Sequence, residues 1–448
     1  MRIRHAAGAA LLVASVVPVV TAAPATAAAA KYADDFNGDG YRDYATYSFR
    51  ANNGGGVLVT YGTADGPGTR TQLITQSSPG VPGTDETDDM FGDTRAAADF
   101  NADGYADLAV NTYGEDVDGR EDQGSVTILW GSAAGLDGGT NVPNMGAKVA
   151  DGRFGLGLAA GDFNGDGKKD LAATSAGKTY IYRGAITRSG VAGTVSTLAK
   201  SGFSARALTA GRMNGDSSTD LVVTGITDAP NTFGTDVWFI KGGSTPTSGK
   251  TLRVVANYGD PRKGVIADFN KDGYGDFAIG TQMYGDYKGS VSLWYGSSTG
   301  PATSARITQA TTGVSGTAET GDRFGTSVSA ADINRDGYHD LAIGVPGEKL
   351  NDQADAGAVH VLKGGAGGIT GTGSQWIARD TAGVPGDVAW NDNFGDTVRL
   401  RDTNRDGYAD LYATGITADS LRLPGTASGI TTTGVSSADS VAIEGMIQ

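Results

Sequence analysis

No cysteine occurs anywhere in the 448 residues, which excludes disulfides, thiolate metal sites and a cysteine nucleophile. Only three histidines are present, His5, His339 and His360, so little imidazole chemistry is available for acid–base work or metal ligation. Cations are scarce beside acids: 35 Lys and Arg stand against 50 Asp and Glu, a formal charge of -15. That balance argues against nucleic acid or an anionic membrane surface as the main partner. Beyond residue 30, no segment sustains the 3.6-residue apolar period of an amphipathic helix. What is abundant is glycine, 71 residues against 13 prolines. That is turn-rich, yet below the Pro+Gly level of roughly 25–30% that marks disorder.

The first thirty residues read as an address. Arg2 and Arg4 precede an apolar run from Ala6 to Val20, and small residues follow from Thr21 to Ala30. These are the three parts of a secretory signal peptide, so residues 1–30 are expected to be removed and the mature chain, 31–448, to be secreted and extracellular. The run is too short for a typical spanning helix. Ser440 to Gln448 carries no apolar tail, so no membrane span or anchor is expected. A secreted chain without disulfides needs another source of stability.

A nine-residue string, D-x-N-x-D-G-x-x-D, recurs along residues 31–448. It occupies 35–43, 99–107, 162–170, 268–276, 332–340 and 402–410, with a damaged copy at 212–220. The copies start about 61 residues apart on average, a period that belongs to repeat architectures. After each ninth-position Asp comes a short apolar stretch such as Leu108-Ala109-Val110 or Leu341-Ala342-Ile343. About fifteen residues on, a β-branched and aromatic run closes with Gly, as in 125–131, 179–184, 236–242, 290–296 and 358–364. Runs bounded in this way read as strands. Each unit then holds about four strands, and seven such units predict one domain: an all-β, seven-bladed β-propeller of four-stranded antiparallel blades with calcium-binding hairpin loops.

Several loops are preceded by a Phe-Gly pair: Phe91-Gly92, Phe154-Gly155, Phe324-Gly325 and Phe394-Gly395. Gly344-Val345-Pro346 follows the sixth loop. Together these resemble the FG-GAP repeat of the integrin α-subunit propeller, here of a secreted bacterial type, over nearly all of residues 31–448. The resemblance implies seven blades with calcium in hairpin loops on one face. In integrins the opposite face binds the partner subunit and the ligand. The fourth unit departs from the pattern, since Phe203 lacks the following Gly. Nothing resembles the integrin leg domains, so the scaffold transfers and integrin function does not.

Calcium takes six to eight hard oxygens in a compact cage. Alternation at positions 1, 3 and 5 aims three oxygen-bearing side chains at one centre, Gly at position 6 allows a sharp turn, and position 7 offers a carbonyl. In the first loop these are Asp35, Asn37, Asp39, the Tyr41 carbonyl and Asp43. The second supplies Asp99, Asn101, Asp103, Tyr105 and Asp107; the third, Asp162, Asn164, Asp166, Lys168 and Asp170. Asp268, Asn270, Asp272, Tyr274 and Asp276 form the next intact set. Asp332, Asn334, Asp336, Tyr338 and Asp340 follow, and Asp402, Asn404, Asp406, Tyr408 and Asp410 close the series. Position 12 is never acidic, which excludes an EF-hand. About six structural Ca2+ ions are expected. In the damaged copy Arg212 replaces the first Asp and Ser217 the turn Gly, and Arg212 is expected to neutralise Asp216 and Asp220 in the ion's place.

No nucleophile–base pair marks a catalytic site, and no catalytic residue is assigned. The expected function is a monomeric recognition or adhesion module for an extracellular protein or glycan. A secreted polysaccharide-active enzyme, lyase or glycoside hydrolase, is the alternative. The ligand is expected on loops away from the calcium loops, with Tyr113, Tyr284 and Trp390 as aromatic anchors. Three features of those loops stand out: the acidic stretches 113–123 and 348–356, and the segments Gly80–Gly83, Gly313–Gly316 and Gly383–Gly386, each Gly-Val-x-Gly.

Overall fold

Among the described residues, seven antiparallel sheets of three or four strands follow one another along the chain, with two small two-stranded hairpins, and the inner strands of the second to seventh pack side by side. The computed structural model describes residues 30–49, 51, 54–184, 186–228 and 232–448; the expected signal peptide, through residue 29, lies outside them. Blade 2 shows the pattern: inner strand Arg95–Ala98, second strand Asp107–Thr112, third strand Ser125–Trp130 and outer strand Asp137–Asn141. Blades 3 to 7 open with the inner strands Leu158–Gly161, Phe203–Gly211, Val265–Ala267, Val328–Ala331 and Val398–Arg401, and each has four strands. The seven-bladed propeller expected from the loop period is the observed fold.

The second strands explain why their sequences lack alternation. Asp107–Thr112, Asp170–Ser175, Asp276–Thr281 and Asp340–Val345 are buried at every position. Both faces of each are covered by neighbouring blades, so both faces must be apolar or small. The inner strands of blades 2 and 3 are short and rich in small residues, RAAA and LAAG, as crowding near the axis demands. The Phe of each Phe-Gly pair is buried between blades, with Phe91, Phe154, Phe324 and Phe394 at most 1% exposed. The following Gly adopts φ near +90°. Its N–H bonds to the end of a second strand, as in Gly92 N to Asn111 O at 2.7 Å.

Blade 1 departs from the expected four strands. It has only Tyr44–Tyr47, Val57–Thr63 and Gly66–Ile74. Its inner side is covered instead by a short helix, Ser440–Gly445, whose Ile443 packs with Tyr44 and with Tyr412 of blade 7. The ring is therefore closed by packing rather than by a shared sheet. Ion pairs reinforce the seam: Arg401 of blade 7 reaches Asp34 at 3.0 Å, and Arg42 reaches the same carboxylate at 2.9 Å.

His360 lies in the third strand of blade 6 and is fully buried, its ring 5.4 Å from Phe324 and 5.0 Å from Trp376. Neither ring nitrogen has a partner, and burial lowers its pKa to about 4. It is a packed side chain with no catalytic partner. Because the folded pKa lies below that of the unfolded chain, the contribution is present above about pH 6.5 and is lost as pH falls towards 4. His360→Phe should remove on the order of 3 kcal/mol of acid sensitivity in that window, read from urea unfolding at pH 7 and pH 4.5. Equal sensitivity in both proteins would contradict this.

Candidate functional site

Strand direction assigns every loop to one of two ends. In blades 2 to 7 each nine-residue loop joins the end of an inner strand to the start of a second strand, and the first loop leads into Tyr44–Tyr47 and touches the seventh, so all seven loops gather at one end. The connections between second and third strands, and those between blades, gather at the other.

Within a loop the hydrogen bonds repeat almost without change. In the first, the Asn37 amide oxygen accepts from Asp39 N at 3.0 Å, and Asp39 accepts from Tyr41 N at 2.9 Å. Asp35 Oδ2 accepts from Gly40 N at 2.9 Å. The turn glycine has φ +83°, and its equivalents in the other intact loops lie between +83° and +94°. Position 9 does more than face the loop. Asp43 is fully buried, with Oδ2 accepting from Phe36 N at 2.8 Å and Oδ1 from Gly62 N at 2.9 Å. Gly62 sits in the third strand, so this one carboxylate pins the loop to the strand beyond it. Asp107, Asp276 and Asp340 make the same pair of bonds.

Burial raises Asp43 and Asp107 to about 7, and Asp170, Asp276 and Asp340 to about 6; the carboxylates at positions 1 and 5 add to the rise. The loop thus concentrates negative charge at positions 1, 5 and 9. Asp35 Oδ1 and Asp402 Oδ1 are buried with no hydrogen-bond partner. Carboxylate, amide and carbonyl oxygens with orphaned lone pairs fit a hard cation by donor type. Among the described residues, no three Asp, Glu or His side chains already stand closed around one point, so the loops are open cradles.

The fourth-blade loop differs as the sequence suggested, but the cation is another residue. Arg212 is exposed and its side chain makes no ion pair with Asp216 or Asp220. Lys241, from the third strand, reaches Asp216 at 3.4 Å, and Asn214 donates to Asp216 at 2.9 Å and to Asp220 at 3.3 Å. The expectation that Arg212 fills the ion's place is therefore corrected. Its chain position pointed to it, but the strand across the hairpin lies nearer the acids. A second built-in cation was not foreseen. In blade 7, Arg422 lies at 2.8 and 2.7 Å from Asp410 Oδ2, the oxygen that in other loops accepts from position 2. During stepwise chelation, loop 402–410 is expected to empty first, and Arg422→Gln should tighten it. Simultaneous loss from all loops in both proteins would contradict this.

Neighbouring loops also touch one another. The side chain at position 4 of one loop stacks on the position-7 Tyr of the next: Lys271 on Tyr338 at 5.3 Å, Arg335 on Tyr408 at 5.2 Å, and Arg405 on Tyr41 at 4.1 Å. The last contact crosses the seam between blades 7 and 1, where Arg405 also donates to the Gly40 carbonyl. Such cation–π contacts contribute about 0.5–1 kcal/mol each at exposed sites. His339, at position 8 of its loop, lies against the neighbouring loop, its Nδ1 3.2 Å from Asp268 O.

At the other end, Tyr113, Tyr284 and Trp390 share one face but fall in blade 2, blade 5 and the blade 6/7 connection; they do not converge. Trp390 is 66% exposed. Tyr113 is half-buried, and Tyr284 lies under the Arg306 guanidinium at 4.2 Å. Sequence reasoning missed Phe49, Tyr287 and Ile416, all exposed at this end. The Ile416 N–H donates to Asp392, which places Ile416 beside the connection that carries Trp390. An isolated Ile in a polar loop gives no sequence signal of that proximity.

An FG-GAP repeat model matches residues 91–129, 261–294 and 324–362, and an FG-GAP-like repeat model matches residues 162–223. Two of these spans begin on the buried Phe-Gly pairs of blades 2 and 6. The chain is similar to phosphatidylinositol-glycan-specific phospholipase D of Bos taurus, 35% identical over 103 residues, covering 22% of this chain and 12% of that protein. It is also similar to integrin alpha-8 of Mus musculus, 30% identical over 219 residues, 45% of this chain and 18% of that protein. Integrin alpha pat-2 of Caenorhabditis elegans is 37% identical over 123 residues, 25% of this chain and 10% of that protein. The matched stretch spans less than a fifth of each relative. Among the described residues no helix is long and apolar enough to cross a membrane.

Proposed function

Since the chain is an FG-GAP-repeat, integrin α-like β-propeller, we propose that it is a secreted, calcium-stabilised recognition module. It binds an extracellular protein or glycan through the end away from the nine-residue loops. One observation carries this reading. Of the eight large apolar side chains exposed among the described residues, seven lie at that end: Phe49, Met145, Val149, Phe233, Tyr287, Trp390 and Ile416. Exposed apolar groups that collect on one face mark an interaction surface. The division of labour is physical. Loops at one end hold cations and hold each other; connections at the other end vary in length and carry aromatic side chains.

Residues at positions 1, 3, 5 and 9, with the position-7 carbonyl, would hold the calcium. When bound, the ion supplies the positive charge that these carboxylates lack. The chain's own part is to place the acids, through the turn glycine and the bonds to position 9, at the hairpin where two strands meet.

Trp390, 66% exposed on the blade 6/7 connection, is the expected anchor. A screen of glycan and extracellular-protein arrays with the calcium-loaded protein should give hits that Trp390→Ala weakens by roughly 30-fold or more, the scale of an aromatic hot spot. Hits that survive Trp390→Ala and Tyr287→Ala unchanged, or that map to the loops at 35–43 and 99–107, would contradict the assignment of the face.

A further inference from the structure

Three blade junctions, 1/2, 5/6 and 6/7, carry the same segment: Ile-x-Gln/Arg-x-x-x-Gly-Val-x-Gly. The third residue is Gln76, Gln309 or Arg379, and it is buried in every case, at 3%, 2% and 4% exposure. An Asp two residues before the Phe-Gly pair is buried at the same junction: Asp89, Asp322 or Asp392, at 1%, 2% and 0%; the first two lie near Glu115 and Glu348.

At junction 6/7 the charges balance. Arg379 Nε pairs with Asp392 Oδ2 at 2.9 Å, both side chains fully buried. Asp392 Oδ1 accepts from the N–H groups of Ile416, Thr417 and Ala418. No Glu is present, and Ala389 stands where the other two junctions have Glu86 and Glu319.

At the other two junctions the arginine is replaced by glutamine and a second acid enters, Glu348 buried and Glu115 half-buried. Gln309 Nε2 donates to Glu348 at 2.7 Å, and Gln76 Nε2 donates to Glu115. The second oxygen-bearing end of each amide, Gln76 Oε1 and Gln309 Oε1, is buried and has no hydrogen-bond partner. Glu348 is itself only 9% exposed. Burial and the neighbouring carboxylates raise Asp89 and Glu348 to about 7. Asp322 is raised to about 6 by burial and Glu319, with exposed Lys288 a small offset. Each pocket therefore holds two carboxylates, both buried at junction 5/6 and one buried, one half-buried at junction 1/2, with an orphaned buried carbonyl oxygen and no buried cation. Where the protein supplies a guanidinium, the second acid and the glutamine are both missing.

We propose that junctions 1/2 and 5/6 each bind one hard divalent cation of the calcium class. Asp89, Glu115 and the Gln76 amide oxygen hold it in one, Asp322, Glu348 and the Gln309 amide oxygen in the other. Arg379 is the protein's own replacement for that ion at junction 6/7. All six ligating groups are oxygens, the donor set calcium takes, and water completes an open shell. The ions would sit at the end away from the nine-residue loops and tie blade 1 to blade 2 and blade 5 to blade 6.

The test counts ions in the whole protein. Native mass spectrometry after exchange into millimolar calcium should show one ion fewer in Glu115→Gln, one fewer in Glu348→Gln and two fewer in the double variant. Gln309→Arg, which installs the junction 6/7 arrangement, should also lose one ion while keeping the wild-type melting temperature in chelator or raising it. An ion count identical in wild type and the double variant overturns the proposal. Wild-type crystals grown in calcium give a check free of folding effects: long-wavelength anomalous density is expected at both junctions. Density in the nine-residue loops without density at the junctions sinks this proposal and leaves the loop sites standing; density in neither sinks both.

Discussion

Transfer from millimolar calcium into chelator should lower the unfolding temperature by roughly 10 °C, the scale of about 8 kcal/mol spread over a chain of this size. An ion that binds only the native state stabilises by about 1.4 kcal/mol at ten times its dissociation constant. Six intact loops with dissociation constants on the order of 10⁻⁴ M, in the range of extracellular calcium modules, then reach that total. The apo loops oppose folding in a specific way. Position-9 acids such as Asp43 and Asp107 are buried against the carboxylates at positions 1 and 5, and burial plus that repulsion raises both to about 7. A dication offsets both terms. The check is differential scanning calorimetry in calcium and in chelator, with magnesium as control. A shift under about 1 °C, the scale of a single kcal/mol in a chain of this size, would mean that the loops are held by hydrogen bonds alone.

Arg379→Met should cost about 3–5 kcal/mol, because it leaves a fully buried carboxylate without its cation. The pair at 2.9 Å has no exposed atom in either side chain, so solvent cannot stand in for the lost partner. Arg379 also donates to the carbonyls of Pro385 and Asp419 at 2.8 and 2.7 Å, and thus joins blade 6, its following connection and blade 7. Asp392→Asn should cost a similar amount for the mirror reason. The introduced amide would keep an oxygen for the N–H groups of Ile416, Thr417 and Ala418 but would leave the guanidinium unpaired. Combining the two substitutions should cost clearly less than their sum, since residues in one network do not add. Urea unfolding of the four proteins measures this directly. Additive losses, or singles under about 1 kcal/mol, the size of an ordinary exposed pair, would show that the two do not act as a unit.

Much of the architecture was legible because one motif carries two constraints at once. D-x-N-x-D-G-x-x-D names its own turn chemistry through the Gly at positive φ, and its ninth Asp fixes the start of a second strand: Asp107, Asp170, Asp220, Asp276, Asp340 and Asp410 each begin one. The Phe-Gly pair is equally local, a buried ring followed by a backbone that needs no side chain. What stayed hidden depends on residues brought together from distant parts of the chain. The seam is closed by Ser440–Gly445 against Tyr44 and by Arg401 on Asp34, contacts across nearly the whole sequence that no period announces. The substitution of Lys241 for Arg212 as the cation near Asp216 has the same origin. A residue in a facing strand can lie nearer than one in the loop itself. On the end away from the loops, aromatic identity pointed to Tyr284, yet Arg306 covers its ring. Ile416 became a candidate only through its bond to Asp392.

A crystal structure of the wild-type protein grown in millimolar calcium tests the central claim most directly. Calcium is expected in the loops at 35–43, 99–107, 162–170, 268–276 and 332–340, with the weakest density at 402–410, where Arg422 competes for Asp410. No ion is expected at 212–220, where Lys241 already faces Asp216. Empty loops at full calcium, with positions 1, 3, 5 and 9 bonded only to backbone and water, or an ion seated on Asp216 and Asp220, would contradict the account.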